Sequence, residues 1–280
     1  MDQQSPVNQE SPAIGKTIMA GGVSTNYLDA GDGHPVLLLH GSGIGVSAYA
    51  NWNRTLPEIA KTFRAIAPDA AGFGYSDPPD DVRYGLDYWV EHLVAFLDAL
   101  ALPQVHVIGN SFGGALAIRL TVRHPERVGR VMLMGSAGVE FSVKPIFGAG
   151  YSVELTHDVM RSQMQNFTFD PARITDDMVS LRLQTALRPL NKARQSRLFT
   201  GPREERVTAM TTPTDAIAAI DKRFLIVHGR NDAIVPVQTS ETLHALVKRS
   251  DLHVFAECGH WSQIDRAADF NAMATRFFNE

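Results

Sequence analysis

The chain has 280 residues, 44% of them hydrophobic and 20% charged, with a formal net charge of −4. These values suit a soluble globular enzyme, and a chain this long buries about three quarters of its unfolded surface. The small net charge and the lack of any lysine- or arginine-rich block exclude a nucleic-acid surface. An anionic small substrate would therefore be held by individual basic side chains. The single cysteine, Cys258, excludes an intramolecular disulfide and a cysteine-built zinc site. No apolar run approaches the roughly 18 residues that span a bilayer. Met1 to Ala13 are mostly polar and lack the apolar centre of a secretion signal. They are expected to form a frayed tail on a cytoplasmic protein.

In chain order, Lys16 to Ala20 and Val23 to Asp29, separated by Gly21-Gly22, predict an opening antiparallel hairpin. Pro35 to His40, Arg64 to Ala67, Val105 to Ile108 and Arg130 to Met134 read as strands. Phe224 to His228 and Leu252 to Phe255 follow as two more. Unbroken apolar runs such as Val36-Leu37-Leu38-Leu39 suit strands covered on both faces. Between them, Trp89, Leu93, Phe96, Leu97 and Leu100 recur at helical spacing within Leu86 to Leu100. Gly113 to His124 predicts a second helix stopped by Pro125, and Ser262 to Phe278 a third. This alternation predicts βαβ units around a parallel sheet. Residues 137–214 break the rhythm, with helical patterns, scattered prolines and no convincing strand. They are expected to form a helical lid between two parts of the core, 1–136 and 215–280.

Gly109-Asn110-Ser111-Phe112-Gly113 matches G-x-S-x-G between a predicted strand and a predicted helix. A sharp turn there lifts the serine hydroxyl clear of the sheet, and the helix N-terminus beneath it favours developing negative charge. The setting is that of the α/β-hydrolase fold, expected here as a mostly parallel eight-stranded sheet flanked by helices, with the lid inserted after the sixth strand. A serine hydroxyl is a weak nucleophile and needs a base that is itself oriented by an acid. In this fold the order along the chain is Ser, then Asp or Glu, then His. Asp232, in the turn after Phe224 to His228, and His260, just past Leu252 to Phe255, occupy those places. His106 lies inside a strand and His40 in a tight loop, so both read as structural. Asp69 lies in the wrong order and reads as a turn cap, and Cys258 lacks a base of its own. His40-Gly41-Ser42-Gly43 reads as a loop whose main-chain N–H, from Ser42, joins that of Phe112 in binding the oxyanion.

The segments His40 to Trp52, Ala67-Pro68-Asp69, Gly72-Phe73-Gly74-Tyr75-Ser76, Gly109 to Gly114 and Cys258-Gly259-His260-Trp261 resemble the meta-cleavage product hydrolases of bacterial aromatic degradation. The resemblance runs from Ile14 to Phe278, is closest to the 2-hydroxymuconic semialdehyde type and is weakest in the lid. The chain departs from the family pattern at Ile44, where many members carry proline, and at Leu183, where an aromatic is usual. The resemblance implies hydrolysis of a carbon–carbon bond in a 2-hydroxy-6-oxo-2,4-dienoate, an anionic small molecule, without cofactor or metal. The products are a 2-hydroxydienoate and a carboxylic acid. It also implies that Asn51 and Asn110 hydrogen-bond the dienoate end, with Gly43 and Trp261 beside it, and that Arg182 pairs with the carboxylate. Arg188 nearby is an alternative partner, and loop bracing is the alternative role for the two asparagines. Phe141, Val143, Ile146 and Phe147 either line the distal pocket or pack the core. Relatives of this kind form homo-oligomers, so one is expected here. The size of the distal group stays open, as does a carboxylesterase or lipase using the same three residues. A carboxylate in place of Ser111, as a haloalkane dehalogenase or epoxide hydrolase requires, is absent. A non-catalytic receptor on this scaffold would not need the three residues intact.

Overall fold

The structure, a computed structural model, describes residues 11–142, 154–198 and 202–280. Eight strands form one sheet: β1 (Lys16–Ala20), β2 (Val23–Ala30), β3 (Pro35–Leu39), β4 (Arg64–Pro68), β5 (Val105–Asn110), β6 (Val128–Met134), β7 (Phe224–Gly229) and β8 (Ser250–Phe255). Their spatial order is β1-β2-β4-β3-β5-β6-β7-β8. β2 runs antiparallel to both of its neighbours, and every pairing from β4 to β8 is parallel. This is the expected architecture. The chain reaches it because side chains alternate between faces along each strand while both faces are covered. Leu37, Leu39, Val105, Val107, Val131, Leu133 and Ile226 enter one core with α3 (Leu86–Ala99) and α4 (Phe112–Arg123). Val36, Leu38, Ile108, Met132, Met134 and Val227 enter the other, against α1 (Ala48–Trp52), α2 (Leu56–Ile59) and the C-terminal helix.

Two expectations need correction. The predicted third helix is two, α11 (Ser262–Asp265) and α12 (Ala267–Asn279), broken at Arg266 with φ −127° and ψ 41°. The pieces serve different surfaces. α12 buries Phe270, Ala274, Phe277 and Phe278 against the sheet, whereas Asp265 turns its carboxylate to the main chain of residues 169 and 259. The tail was expected to reach Ala13, yet Ser11 and Ala13 are buried and the Ala13 carbonyl accepts a 2.9 Å hydrogen bond from Asn26 Nδ2.

Between β6 and β7 the described residues form α5 (His157–Gln165), α6 (Asp176–Ala186), α7 (Pro189–Leu198), α8 (Arg203–Thr208) and α9 (Thr214–Ala218), with no strand among them. Thr156 and Thr175 cap α5 and α6, each accepting an N–H from the first turn, and Asp176 and Asp177 lie at the positive end of α6. Met160, Met164, Ile174, Val179 and Ala186 form a third core with Ile44, Trp261 and Ile264. α5 and α6 are therefore packed onto the loops that follow β3 and β8. Among the described residues no helix is long and apolar enough to cross a membrane.

The order β4-β3-β5 contains a topological switch. β3 connects onward to one side and β5 lies on the other, so the loops leaving their C-terminal ends diverge and open a crevice. Ligands of open α/β sheets bind at such a point.

Burial sets an acid limit on this fold. Burial pushes His40 and His92 each down to about 4, and His106 likewise to about 4 with the charges of His34 and Arg130 assisting. Each is neutral when folded, so the unfolded chain takes up more protons below pH 6.5 and stability falls from there to pH 4. Burial pushes the Asp69 carboxyl up to about 6, which favours the folded state as pH drops through the same window and offsets one histidine. His40 and His92 each remove about 1.4 kcal/mol per pH unit in that range, and Asp69 returns about as much. Thermal melts should therefore show the midpoint falling between pH 6.5 and pH 4, with a shallower slope in His92→Gln. An identical slope in that variant would refute the assignment.

Candidate active site

β5 passes directly into α4 at Ser111, whose φ of 55° and ψ of −114° are strained for a residue with a side chain. Main-chain bonds on all sides hold it there. Its N–H donates to Met134 O at 3.0 Å, and its carbonyl accepts from Ala137 N at 3.1 Å and Gly114 N at 3.0 Å. Gly113 permits the close approach of α4 to β3, because a Cβ there would run into the Leu39 and His40 carbonyls. The turn leaves the serine at the C-terminal end of β5, beside the loop that follows β3.

Asp232 and His260 arrive from the ends of β7 and β8. His260 Nδ1 lies 2.7 Å from Asp232 Oδ2, and only 2% of His260 is exposed. Because a carboxylate only accepts, Nδ1 carries the hydrogen and Nε2 is left as the base. Asp232 Oδ1 accepts from Ile234 N at 2.7 Å and Val235 N at 2.9 Å. Burial by itself would push the Asp232 carboxyl up. The His260 charge and the hydrogen bonds from His228 and His260 outweigh burial and hold it well below the usual carboxylate range. The strap 134–137 that bonds Ser111 also carries Gly135, at φ 49°, where a Cβ would lie 2.9 Å from His260 Nδ1 and 3.2 Å from Asp232 Oδ2. Any side chain at 135 would displace the acid–base pair.

The loop after β3 lies against the serine. A Cβ on Gly41 would sit 3.5 Å from Ser111 Cβ and 3.0 Å from Asn110 Oδ1. His40 fixes the loop from beneath: its Nε2 accepts from Ala70 N at 2.9 Å, so Nδ1 donates to Gly41 O at 2.6 Å. Asn51 Oδ1 accepts from Gly41 N at 3.2 Å, and Asn110 Nδ2 donates to Met134 O at 3.1 Å. Asn51 Nδ2 and Asn110 Oδ1 are both buried with no partner among the described residues. Each asparagine thus braces a loop with one end and has an unsatisfied group at the other, which fits both roles read from the sequence. Asp69 binds Ala48 N at 2.5 Å, Tyr75 N at 2.8 Å and Asn26 Nδ2 at 2.8 Å, as a turn cap should. The Cys258 thiol, buried and pushed up to about 11, hydrogen-bonds Ser262 Oγ at 3.3 Å.

Arg182 and Arg188 part company. Arg182 is 4% exposed, its Nε donates to Ile44 O at 2.9 Å, and its guanidinium lies 5.4 Å over the Trp261 ring. Its Nη2 is 3.2 Å from where a Cβ on Gly43 would sit, so the charge stands at the oxyanion loop. Arg188 hydrogen-bonds Gly74 O, pairs with Asp77 at 3.4 Å and lies 4.3 Å over Tyr75. Trp261 also stacks on Phe167 at 4.6 Å. Phe141 is half-buried and packs on the α3–α4 side core, whereas Val143, Ile146 and Phe147 lie outside the described residues.

Three buried polar residues escaped the sequence reading. Asp265 Oδ2 accepts from Gly259 N and Phe169 N, both at 2.8 Å, tying the His260 loop to the segment after α5. Gln263 Nε2 donates to Asn51 O at 3.2 Å. His228 lies beside Asp232, and its position four residues earlier at the end of the same strand was the one available signal.

A fold and a constellation of this kind define a class. The chain matches the family of the alpha/beta hydrolase fold over residues 34–267 and belongs to it. Within that class it belongs to the meta-cleavage product hydrolases. It is 44% identical over 272 residues to the 2-hydroxymuconate semialdehyde hydrolase of Pseudomonas sp. (strain CF600), covering 97% of this chain and 96% of the relative. It is 41% identical to the 2-hydroxy-6-oxo-2,4-heptadienoate hydrolase of Pseudomonas putida, covering 94% and 96%. Among solved structures, the meta-cleavage product hydrolase CumD of Pseudomonas fluorescens IP01 superposes with a TM-score of 0.92 at 42% identity, covering 95% of this chain and 98% of CumD.

The Asp232–His260 geometry carries a prediction. In Asp232→Asn the amide turns an N–H toward His260 and favours the wrong tautomer, so kcat should drop roughly a thousand- to ten-thousand-fold with the fold intact. Turnover within tenfold of the parent would remove Asp232 from the triad.

Proposed function

We propose that this chain hydrolyses the carbon–carbon bond of a 2-hydroxy-6-oxo-2,4-dienoate through Ser111, His260 and Asp232. The observation that carries the reading is the burial of Arg182 against Gly43, in the same loop whose Gly41 lies beside Ser111. An ester substrate has no need of a cation there. A dienoate does, and a guanidinium fork matches its carboxylate in two parallel hydrogen bonds.

The substrate lies along the crevice with its carboxylate at Arg182, its dienol end near Asn51, Asn110 and Trp261, and its 6-oxo carbon over Ser111. Ketonisation of the dienol moves a proton onto the carbon chain and turns the far end into an electron sink. His260 takes the Ser111 proton as the oxygen attacks the 6-oxo carbon, and the Ser42 and Phe112 N–H groups bind the oxyanion. Such donors are each worth about 3 kcal/mol. Collapse breaks the C5–C6 bond. The electron pair passes into the 2-oxo group, His260 returns its proton to the leaving fragment, and a 2-hydroxydienoate departs. Water, activated by His260, then releases the carboxylic acid from Ser111. Asp232 holds His260 in the required tautomer throughout and stabilises the imidazolium. Residues 137–214 act as the lid, with α6 carrying the carboxylate anchor over the crevice.

The yellow ring-fission products of catechol, 3-methylcatechol and 2,3-dihydroxybiphenyl test the reading. The wild type should bleach at least one, and the fastest identifies the distal group. Ser111→Ala should bind without turnover. No bleaching of any of the three, together with cleavage of a p-nitrophenyl ester, would make the chain an esterase. Arg182→Gln should raise KM for the dienoate roughly 10- to 100-fold, as loss of charge-assisted hydrogen bonds does, and leave KM for a neutral ester nearly unchanged. Equal effects on both substrates would remove Arg182 from carboxylate binding.

A further inference from the structure

The reaction above uses one histidine on Asp232, but the acid touches two. His228, the penultimate residue of β7, is fully buried and places Nε2 3.2 Å from Asp232 Oδ2 and 3.0 Å from Val235 O. Both neighbours only accept, so Nε2 carries the hydrogen and stands within reach of both. On the far side of the ring, Nδ1 meets Ser240 Oγ of α10 (Val237–Leu246) at 2.7 Å. Two polar contacts at opposite edges leave the imidazole no freedom to rotate in a packed core.

An ionised carboxylate has about four acceptor positions. In Asp232 four N–H groups converge on them. Ile234 N and Val235 N meet Oδ1, and His260 Nδ1 and His228 Nε2 meet Oδ2. The Oδ1 pair fixes the plane of the carboxylate. The His228 contact gives Oδ2 a second partner besides His260. Without it Oδ2 would answer to the moving base alone.

We propose that His228 is a positioning residue for the triad, its Nε2–H holding Asp232 Oδ2 where His260 Nδ1 can reach it. The inference rests on the triad reading above. It predicts a behaviour that packing alone does not. The group that matters is an N–H at the ε position, so a glutamine, whose amide reaches that point, should replace it. An asparagine, which reaches only the δ position beside Ser240, should not.

Two measurements test this on the full chain. Proton NMR of the resting protein follows the downfield line of the hydrogen shared by Asp232 and His260. Steady-state kinetics with the dienoate and with p-nitrophenyl acetate follow turnover. His228→Leu and His228→Asn should each lower kcat on both substrates roughly 10- to 100-fold, as loss of a partner behind a functional ligand does, and displace the NMR line. KM should stay within about twofold, since substrate binding is not touched. His228→Gln should restore most of kcat and return the line. If His228→Leu fails to fold, Ser240→Ala loosens the same ring with a smaller vacancy and should still move the line. An unmoved line in the folded variants, or equal loss in the Gln and Leu variants, would overturn the proposal. Because the line belongs to the resting protein and the ester needs no carbon–carbon cleavage, failure of the dienoate assay alone would leave this result intact.

Discussion

The site depends on one strained residue. Ser111 holds a φ of 55°, a conformation that costs of order 1–3 kcal/mol for a residue with a side chain. That cost persists only because three strands converge on the turn. β6 supplies the Met134 carbonyl that receives the Ser111 N–H, Ala137 at the end of the strap returns an N–H to the Ser111 carbonyl, and β3 lies tight beneath Gly113. The same convergence packs Gly41 so closely that a Cβ added to it would lie 3.5 Å from the serine's Cβ, and it seats Gly135 against the Asp232–His260 pair. Ser111, the loop after β3 and the Asp232–His260 pair are therefore aligned by one piece of sheet, not by separate flexible loops.

Electrostatics then divide the work between the two sides of that turn. The strand side is dry and closed: His40 is neutral, Asp69 is capped by three N–H groups, and Asp232 is 6% exposed yet held ionised by the N–H groups around it. The helix side supplies the positive end of α4 and the guanidinium of Arg182. A negative charge developing at the crevice finds donors on the helix side, and the proton it needs is held by a base whose partner has no alternative orientation.

How much of this was legible in the sequence follows from what each signal encodes. The strands were legible because burial on both faces leaves unbroken apolar runs, and Val36 to Leu39 need no neighbour to be recognised. The pairing of Asp232 with His260 was legible because the order and spacing of these residues are set by strand ends. The break at Arg266 was not, since Ser262 to Phe278 keeps one helical rhythm across it and only the Asp265 carboxylate, bound to Gly259 N and Phe169 N, separates the pieces. Arg182 and Arg188 are alike in composition and differ only in what lies above them, Trp261 in one case and Tyr75 with Asp77 in the other. His228 read as one more apolar-strand residue because a single sequence shows neither its depth nor its neighbour across the turn.

The joint between the helices that follow β6 and the His260 loop bears on why carbon, not oxygen, is the proposed leaving atom. An ester expels an alkoxide that carries its own charge, and a serine, a base and an oxyanion loop suffice. A carbon leaving group must hand its electrons to an acceptor several bonds away, so the far end of the substrate has to be held while the near end is attacked. Here the two ends share a scaffold. Phe167, from the turn after α5, stacks on Trp261, its carbonyl accepts the Trp261 N–H at 2.9 Å, and the Arg182 guanidinium lies on the same indole. Two residues on, the Phe169 N–H shares the Asp265 carboxylate with Gly259, the residue before His260. The cation proposed to hold the carboxylate and the base proposed to deliver the proton are thus neighbours on one rigid strip, His260-Trp261. In the proposed reaction a substrate seated correctly at Arg182 brings its 6-oxo carbon to Ser111 and His260 by the same act, whereas a short neutral ester uses His260 alone and gains nothing from the contact of Trp261 with Arg182.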